Sequence, residues 1–373
     1  MLLCERCHQQ HEEDSKYWRC PCGGALLLHV DETRFPSQEA LQSRPSSLWR
    51  YKEALPLRDG TIPVSLGEGL TPLVPLPWKS GRVFFKLDYL CPTGSYKDRG
   101  VAYEVTRLKE LGISSIVEDS SGNAGAAMAA YAARAGIHCQ IFVPEYTSAG
   151  KCVQIESYGA ELVRVPGSRE DTTRAAEQAA SHTYYASHNW SPYFVHGIKT
   201  YAFEIWEQLQ CTAPHKIIVP AGQGSLVLGC YLAFRHLLQS KIISRFPQII
   251  AVQAKNCAPL YEAFIQGKAE PVQIEKRETI AEGISSALPV RGREVLAAIR
   301  KTGGEMLAVD EEEIKRGFYD LAKAGLYVEP TSAVVAAALA KLEGQGKLLT
   351  SEITVAFLSG SGLKATDKIL HLK

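Results

Sequence analysis

The chain has 373 residues, 46% hydrophobic and 22% charged, enough for two ordinary domains with sizeable cores and unlike a disordered chain. Lysine plus arginine number 41 against 40 acidic residues, a formal net charge of +1, so the basic field of a nucleic-acid or membrane-surface binder is missing. No run of eighteen apolar residues occurs and MLLCERCHQQHEED lacks the apolar stretch of a signal peptide; the expectation is a soluble, cytoplasmic protein with no nucleic-acid or membrane partner.

The first feature along the chain is a cysteine cluster. Cys4, Cys7, Cys20 and Cys22 form C-x2-C and C-x-C pairs within the first 22 residues. Four thiolates at about 2.3 Å satisfy a tetrahedral Zn2+, and Gly23 and Gly24 permit the tight turn of a metal knuckle. Such a closed site is structural. Unrelated thiols near a terminus are the alternative reading, and His8, His11 and Glu12 are substitute ligands. Cys91, Cys139, Cys152, Cys211, Cys230 and Cys257 are scattered and read as small reduced core residues.

Residues 36–80, rich in Pro, Ser and charge, read as an extended lead-in. Strand and helix then alternate: strand 82–88, helix 100–112, strand 114–120, helix 122–136, strand 137–144, helix 149–159 and strand 160–167. A helix over 196–210, strand 216–222, a helix to about 238 and strand 248–256 follow. Helices at 293–302, 311–324 and 331–343 precede a last strand at 353–360. This order predicts parallel sheets covered by helices on both faces.

Four strand-to-helix or strand-end motifs carry candidate chemistry. In CPTGSYKDRG (91–100), Lys97 sits at a helix start beside Arg99, where its ammonium form is disfavoured; a Schiff-base lysine needs that setting. In SSGNAGAA (120–127), Ser120, Ser121 and Asn123 precede a helix whose first N–H groups have no partner, an anion site suited to a carboxylate. A plain N-cap needs only one such residue. In PAGQGSLVLG (220–229), Gly222 and Gly224 let the chain wrap a phosphate at a helix start. A dinucleotide would call for an acidic residue near the end of the next strand; Gln253 and Lys255 stand there instead, so a monophosphate fits better. In LSGSGLK (358–364), Ser359 and Ser361 end a strand, where a cleft or a surface turn is equally plausible.

A reactive lysine, an anion-binding helix start, a phosphate loop and a strand-end hydroxyl together suit a pyridoxal phosphate enzyme. The ordered set CPCGG, GEGLTPL (67–73), PTGSYKDRG, SSGNAGAAMAAYAARAG, the glycine loop, EPTSA (329–333) and SGSGLK covers nearly the whole chain. It resembles the threonine synthases and their relatives among the tryptophan-synthase-β-like pyridoxal phosphate enzymes. The resemblance implies an α/β fold of two doubly wound three-layer domains with the cofactor cleft between them, plus a zinc-ribbon-like segment. The corresponding boundaries are 1–35 for the ribbon, 36–100 with 201–373 for the larger domain, and 101–200 for the smaller one. A homodimer is implied as well.

Residue by residue, the resemblance implies that Lys97 holds pyridoxal 5'-phosphate covalently and then moves protons. Asn123 would bond the ring hydroxyl; Ser120, Ser121 and Ala124 would hold the carboxylate of a small amino-acid substrate. Gly222, Gln223, Gly224, Ser225 and Leu226 would cradle the cofactor phosphate. Ser359 would face the pyridine nitrogen as a neutral partner, which favours elimination over transamination. The implied reaction converts O-phosphohomoserine and water to threonine and phosphate.

One stretch departs from the family pattern. Where threonine synthases often carry N-P-Y-R-x-E-G-x-K-T, this chain has SPYFVHGIKT (191–200), with Phe194 at the arginine and His196 at the glutamate. A substrate phosphate there lacks its bidentate partner; Lys199, His188, Asn189 or Lys151 are the compensating candidates. A β-eliminating ammonia-lyase or β-replacement enzyme is therefore the second reading, and a binding protein on a dead enzyme scaffold the third.

Overall fold

The computed structural model describes residues 1–78 and 81–372; the side chain of Lys151, a candidate named above, lies outside the described set. Two compact units divide the chain: residues 1–69 with 97–198, and residues 70–96 with 199–373.

The second unit is built on a six-stranded sheet in the order Glu305–Val309, Gln248–Ala254, Lys216–Pro220, Ile353–Leu358, Gly81–Leu87, Leu73–Trp78. The pairs are parallel except the last. Its central strands are apolar on both faces, as a sheet covered twice requires; Ile218, Ile250, Val252, Phe85 and Leu358 lie in one buried cluster. The helix Pro330–Gly344 is apolar nearly all round and is buried along most of its length. Leu73–Trp78 belongs to the stretch read as an extended lead-in. Pro75 and Pro77 disguise it as loop, and both are tolerated because the strand lies at the sheet edge and pairs only with Gly81–Leu87.

The first unit holds a four-stranded parallel sheet in the order Glu161–Val165, His138–Pro144, Ser115–Glu118, Tyr184–Tyr185. Beside the sheet runs the alanine-rich helix Asn123–Ala135, closed by Gly136 at φ +71°. The N-terminal segment adds a three-stranded antiparallel sheet from Leu2–Cys4, Gln10–His11 and Leu26–Leu28.

Residues 36–69, expected with the larger domain, pack in the first unit and contain the helix Gln38–Ser43 and a 3-10 helix, Leu48–Ala54. Buried Glu68 explains why. Its carboxylate accepts from Trp49 Nε1 (2.9 Å), the Leu66 amide (2.8 Å) and Tyr131 Oη (2.8 Å), tying the lead-in to the alanine-rich helix. Thr106 Oγ1 takes the Val64 amide at 2.9 Å, and Tyr103 Oη donates to the Pro56 carbonyl at 2.9 Å. The boundary expected after residue 100 falls before Lys97, because the helix Lys97–Glu110 packs wholly in the first unit.

The helix expected over 196–210 is two, Phe194–Ile198 and Thr200–Gln208, and the units change at the break. Unforeseen elements are the helices Arg169–Ala179, Pro259–Ile265 and Thr366–Leu370 and the strands Tyr184–Tyr185 and Glu305–Val309. Of the six scattered cysteines, five are buried; Cys211 is half-buried in a left-handed turn. Among the described residues no helix is long and apolar enough to cross a membrane.

Candidate active site

In the first unit the candidate residues gather at the carboxyl ends of parallel strands, where open α/β sheets bind ligands. Ser115–Glu118 leads into Asp119, Ser120 and Ser121, and the next helix starts at Asn123 with Gly122 as N-cap and no side-chain cap. The serine hydroxyls are thus not spent on capping; only the Gly122 amide reaches Ser120 Oγ, at 3.4 Å. Gly125 lets the helix sit this low, since a Cβ there would collide with the Ser120 carbonyl. Asp119 anchors the loop from behind, accepting from Tyr185 Oη (2.8 Å), Thr173 Oγ1 (2.7 Å) and Arg169 Nη2 (2.8 Å). The result is a helix start that no side chain caps, with two hydroxyls beside it, an arrangement suited to a carboxylate.

Lys97 opens the helix Lys97–Glu110, and its Nζ lies 5.4 Å from the centre of the Phe194 ring. Phe194 is fully buried and fills the space left by Gly100, where a Cβ would strike the ring. The position at which threonine synthases often carry an arginine is therefore occupied by an aromatic face beside the Lys97 amine.

A second pair sits nearby that the sequence reading did not assign. His188 shares a hydrogen bond between Nδ1 and Glu118 Oε1 at 3.0 Å, and its backbone N–H donates to Glu118 Oε2 at 3.0 Å. The His188 and Phe194 rings meet edge to face at 5.8 Å. Burial, reinforced by the charge of Asp119, pushes the Glu118 carboxyl up to about 8. Burial, with the charge of Lys97 adding to it, holds the His188 imidazole well below its ordinary value. Glu104, fully buried, is likewise pushed well above the carboxylate range by burial and by the charge of Glu118. The signal in the sequence was the pair of acids in SSIVEDS, buried at the end of an apolar strand.

In the second unit the strand Lys216–Pro220 runs into residues 221–224 and the helix Ser225–Gln239. Gly224 is its N-cap at φ +87°, and no side chain caps the helix. A Cβ on Gly224 would collide with Val295, and one on Gly222 would lie 2.8 Å from Ile284 Cα. Packing therefore requires both glycines, and the turn requires Gly224 as well. Gln223 is held by its side chain, donating to Ser286 Oγ (2.8 Å) and accepting from the Val290 amide (2.9 Å), which leaves its backbone for a ligand. Tyr96 Oη lies 3.0 Å from Ser225 Oγ, and Tyr201 Oη donates to the Leu226 carbonyl at 3.0 Å.

Ser359, buried at the end of Ile353–Leu358, has Ser332 Oγ at 2.9 Å and donates to Glu329 Oε1 at 3.3 Å. The cleft-lining alternative for this strand end thus has a polar network behind it, and Glu329 and Ser332 come from the EPTSA motif. Lys199, buried, also belongs to the second unit, with its Nζ 5.8 Å from the Phe203 ring centre. The candidate groups thus divide: Lys97, Ser120, Ser121, Asn123 and Ala124 in one unit, Lys199, Gly222–Leu226 and Ser359 in the other.

The four N-terminal cysteines converge. Their sulfur atoms all lie within 4.8 Å of one another, with Cys4 Sγ–Cys22 Sγ at 3.5 Å and Cys7 Sγ–Cys20 Sγ at 3.7 Å. The amides of Arg6 and Cys7 point at Cys4 Sγ (3.4 and 3.5 Å), as in a thiolate knuckle, and His11 Nε2 is 3.3 Å from Cys20 Sγ.

Comparison with known proteins gives the family and the fold. A family model described as "Pyridoxal-phosphate dependent enzyme" matches residues 64–360. A threonine synthase of Methanocaldococcus jannaschii is 36% identical over 99% of this chain and 94% of its own length, and one of Methanosarcina acetivorans is 32% identical over 100% and 94%. Among solved structures, the processed form of threonine deaminase isoform 2 from Solanum lycopersicum superposes with a TM-score of 0.72 at 20% identity, covering 93% of each chain. A fungal L-serine ammonia-lyase from Rhizomucor miehei gives 0.71 at 20% identity, covering 81% of this chain and 96% of that one. The structural likenesses establish the fold.

Proposed function

This chain belongs to the pyridoxal-phosphate-dependent enzyme family, and we propose that within it the chain is a lyase of the threonine synthase type, converting O-phosphohomoserine and water to threonine and phosphate. The observation that carries the reading is the end-to-end likeness, 36% over 99% of the chain, to a threonine synthase.

The donors present fit the cofactor. The helix start at Ser225 is uncapped and glycine-lined, as a dianionic phosphate needs, and Lys97 supplies the amine. When bound, pyridoxal phosphate supplies an electron sink for the carbanions that form when protons leave Cα and Cβ. In this reading Lys97 holds the cofactor covalently, then takes and returns those protons. The amides of 222–226 and the Ser225 hydroxyl bind the phosphate. Asn123 orients the ring hydroxyl. Ser120, Ser121 and the Ala124 amide hold the substrate carboxylate against the positive helix end. Ser359 faces the ring nitrogen, with Glu329 behind it as acceptor. Lys199 is kept as a substrate contact.

The four thiols are read as a structural Zn2+ site. A tetrahedral ion with bonds of about 2.3 Å separates its sulfurs by about 3.8 Å, close to the 3.5 and 3.7 Å found. One zinc per chain, lost together with stability on Cys4→Ser, is expected; a metal-free native protein contradicts it. A cytoplasmic homodimer completes the reading, and sedimentation checks the dimer.

Phe194 keeps the second reading alive, since its ring rather than a guanidinium flanks Lys97. One experiment separates the two. Protein that is yellow, fixed at Lys97 by borohydride, and that releases phosphate and threonine from O-phosphohomoserine supports the first. Ammonia and a 2-oxoacid from serine or threonine, with no phosphate release, replaces it by the second.

A further inference from the structure

We propose that the cysteine-bearing N-terminal sheet is a positioning element for residues 187–194, so that the state of its four thiols is passed on to substrate recognition. The proposal rests on the reading above for what the site binds, but its evidence is separate.

The first link is an arm, Trp18–Arg19–Cys20. Cys20 is buried and locked into its knuckle by its own amide on the Gly24 carbonyl (3.0 Å) and by the Gly23 amide on its carbonyl (2.8 Å). Two residues earlier, the Trp18 ring stands edge-on against Tyr185 (4.8 Å) and Trp190 (5.7 Å). The Arg19 guanidinium lies 4.5 Å from the Trp18 ring and 5.9 Å from the Trp190 ring, and reaches Glu177 at 3.7 Å. Trp18 and Trp190 both join the apolar cluster of the four-stranded sheet, around Val117, Phe142, Ala176 and Tyr185. A residue from the cysteine segment is thus part of that sheet's packing.

The second link is the strand Leu26–Leu28, which pairs with Leu2–Cys4 so that Leu26 sits opposite Cys4. Its Leu28 amide donates to the Pro192 carbonyl at 3.1 Å, and His196 Nε2 donates to the Leu28 carbonyl at 2.9 Å.

Between these two clamps runs the stretch that carries His188 on Glu118 and Phe194 beside the Lys97 amine. Aromatic pairs and hydrogen bonds of this kind act together to favour one position of the stretch over another. The clamps hold only while the knuckles hold. Four unligated thiols offer each other weak S–H contacts, whereas a shared metal fixes all four at once. Without the shared ion Cys20 keeps its backbone bonds but loses the link to the other three cysteines, which loosens the end of the arm that carries Trp18.

The test uses cofactor-loaded protein in three forms: Trp18→Ala, Trp18→Phe, and wild type stripped by a chelator under reducing conditions and then reloaded with Zn2+. Measured are KM and kcat for O-phosphohomoserine, the fraction of Lys97 fixed by borohydride, and deuterium uptake at 185–196 and 222–226. For Trp18→Ala and the stripped protein we expect KM to rise about tenfold, kcat and fixation to stay within about twofold, and exchange to quicken at 185–196 only. Trp18→Phe and reloading restore wild-type values. An unchanged KM overturns the proposal, and so does a parallel fall in fixation, kcat and protection of both segments, the mark of a merely structural role. If the wild type carries no metal, the zinc reading fails and Trp18→Ala alone decides. If O-phosphohomoserine is not turned over, the proposed reaction fails instead and exchange decides: faster uptake at 185–196 in Trp18→Ala upholds the proposal, and unchanged uptake overturns it.

Discussion

Two helix starts, at residues 120–124 and 222–226, share one design and differ in one respect. Each follows a parallel strand, neither is capped by a side chain, and each needs glycine for close packing. The first surrounds its opening turn with Ser120, Ser121 and Asn123; the second lines its own with Gly222 and Gly224, while the Gln223 side chain is turned away to Ser286 and Val290. Both attract anions through the same backbone dipoles. The hydroxyl-rich start adds directional contacts suited to choosing among substrates. The glycine-lined start offers mostly backbone, suited to holding one permanent phosphate. In the proposed reading, specificity and retention fall to different kinds of atom.

The most severe break is Lys97→Ala, which leaves both starts intact. Turnover should fall about 10³-fold or more, with the cofactor no longer fixed by borohydride though still held by its phosphate. Next is Gly224→Ala, which meets Val295 and strains a residue at φ +87°. Cofactor affinity should fall about tenfold, read by titrating apoprotein, since left-handed backbone costs a side chain about 1–2 kcal/mol. Ser121→Ala should do the opposite, raising KM about tenfold with cofactor affinity unchanged, because a bond to a charged group is worth about 1.5–3 kcal/mol. Equal losses in both parameters for either variant would dissolve the comparison.

The smallest effect is on pH dependence, beneath the first start. The Glu118 carboxyl is raised to about 8 from an ordinary value of 4.5. Between those values the unfolded chain binds fewer protons than the folded one, so the contribution of Glu118 to stability is lost as pH rises. Glu104 acts in the same direction. His188, depressed below 6.5, acts oppositely, its contribution being lost as pH falls below that value. Lys97, Asp119 and Arg169 supply the neighbouring charges. Melting temperatures from pH 5 to 8 should therefore decline less for Glu118→Gln than for wild type.

Much of this was legible in the sequence because strong periodicity and glycine punctuation mark their own elements. The helix expected at 122–136 spans Asn123–Ala135, and the strand expected at 353–360 spans Ile353–Leu358. The convergence of Cys4, Cys7, Cys20 and Cys22 followed from their pairing. What escaped depends on distant partners. Tyr184–Tyr185 is too short to show a period, and it exists as a strand because Ile116 and Val117 pair with it. Glu68 lies in the stretch read as an extended lead-in; only the folded chain brings Trp49 and Tyr131 to it. The Glu118–His188 pair joins residues seventy apart; the acids of SSIVEDS mark one partner, and nothing local points to the other.

The central claim is that the Lys97 site performs threonine synthase chemistry. Wild-type protein reconstituted with pyridoxal phosphate and given O-phosphohomoserine tests it most directly, with phosphate and threonine followed together. The account predicts the two products in equal amounts, abolished by Lys97→Ala. Cofactor-loaded protein that releases neither, yet liberates ammonia from serine or threonine, would contradict it.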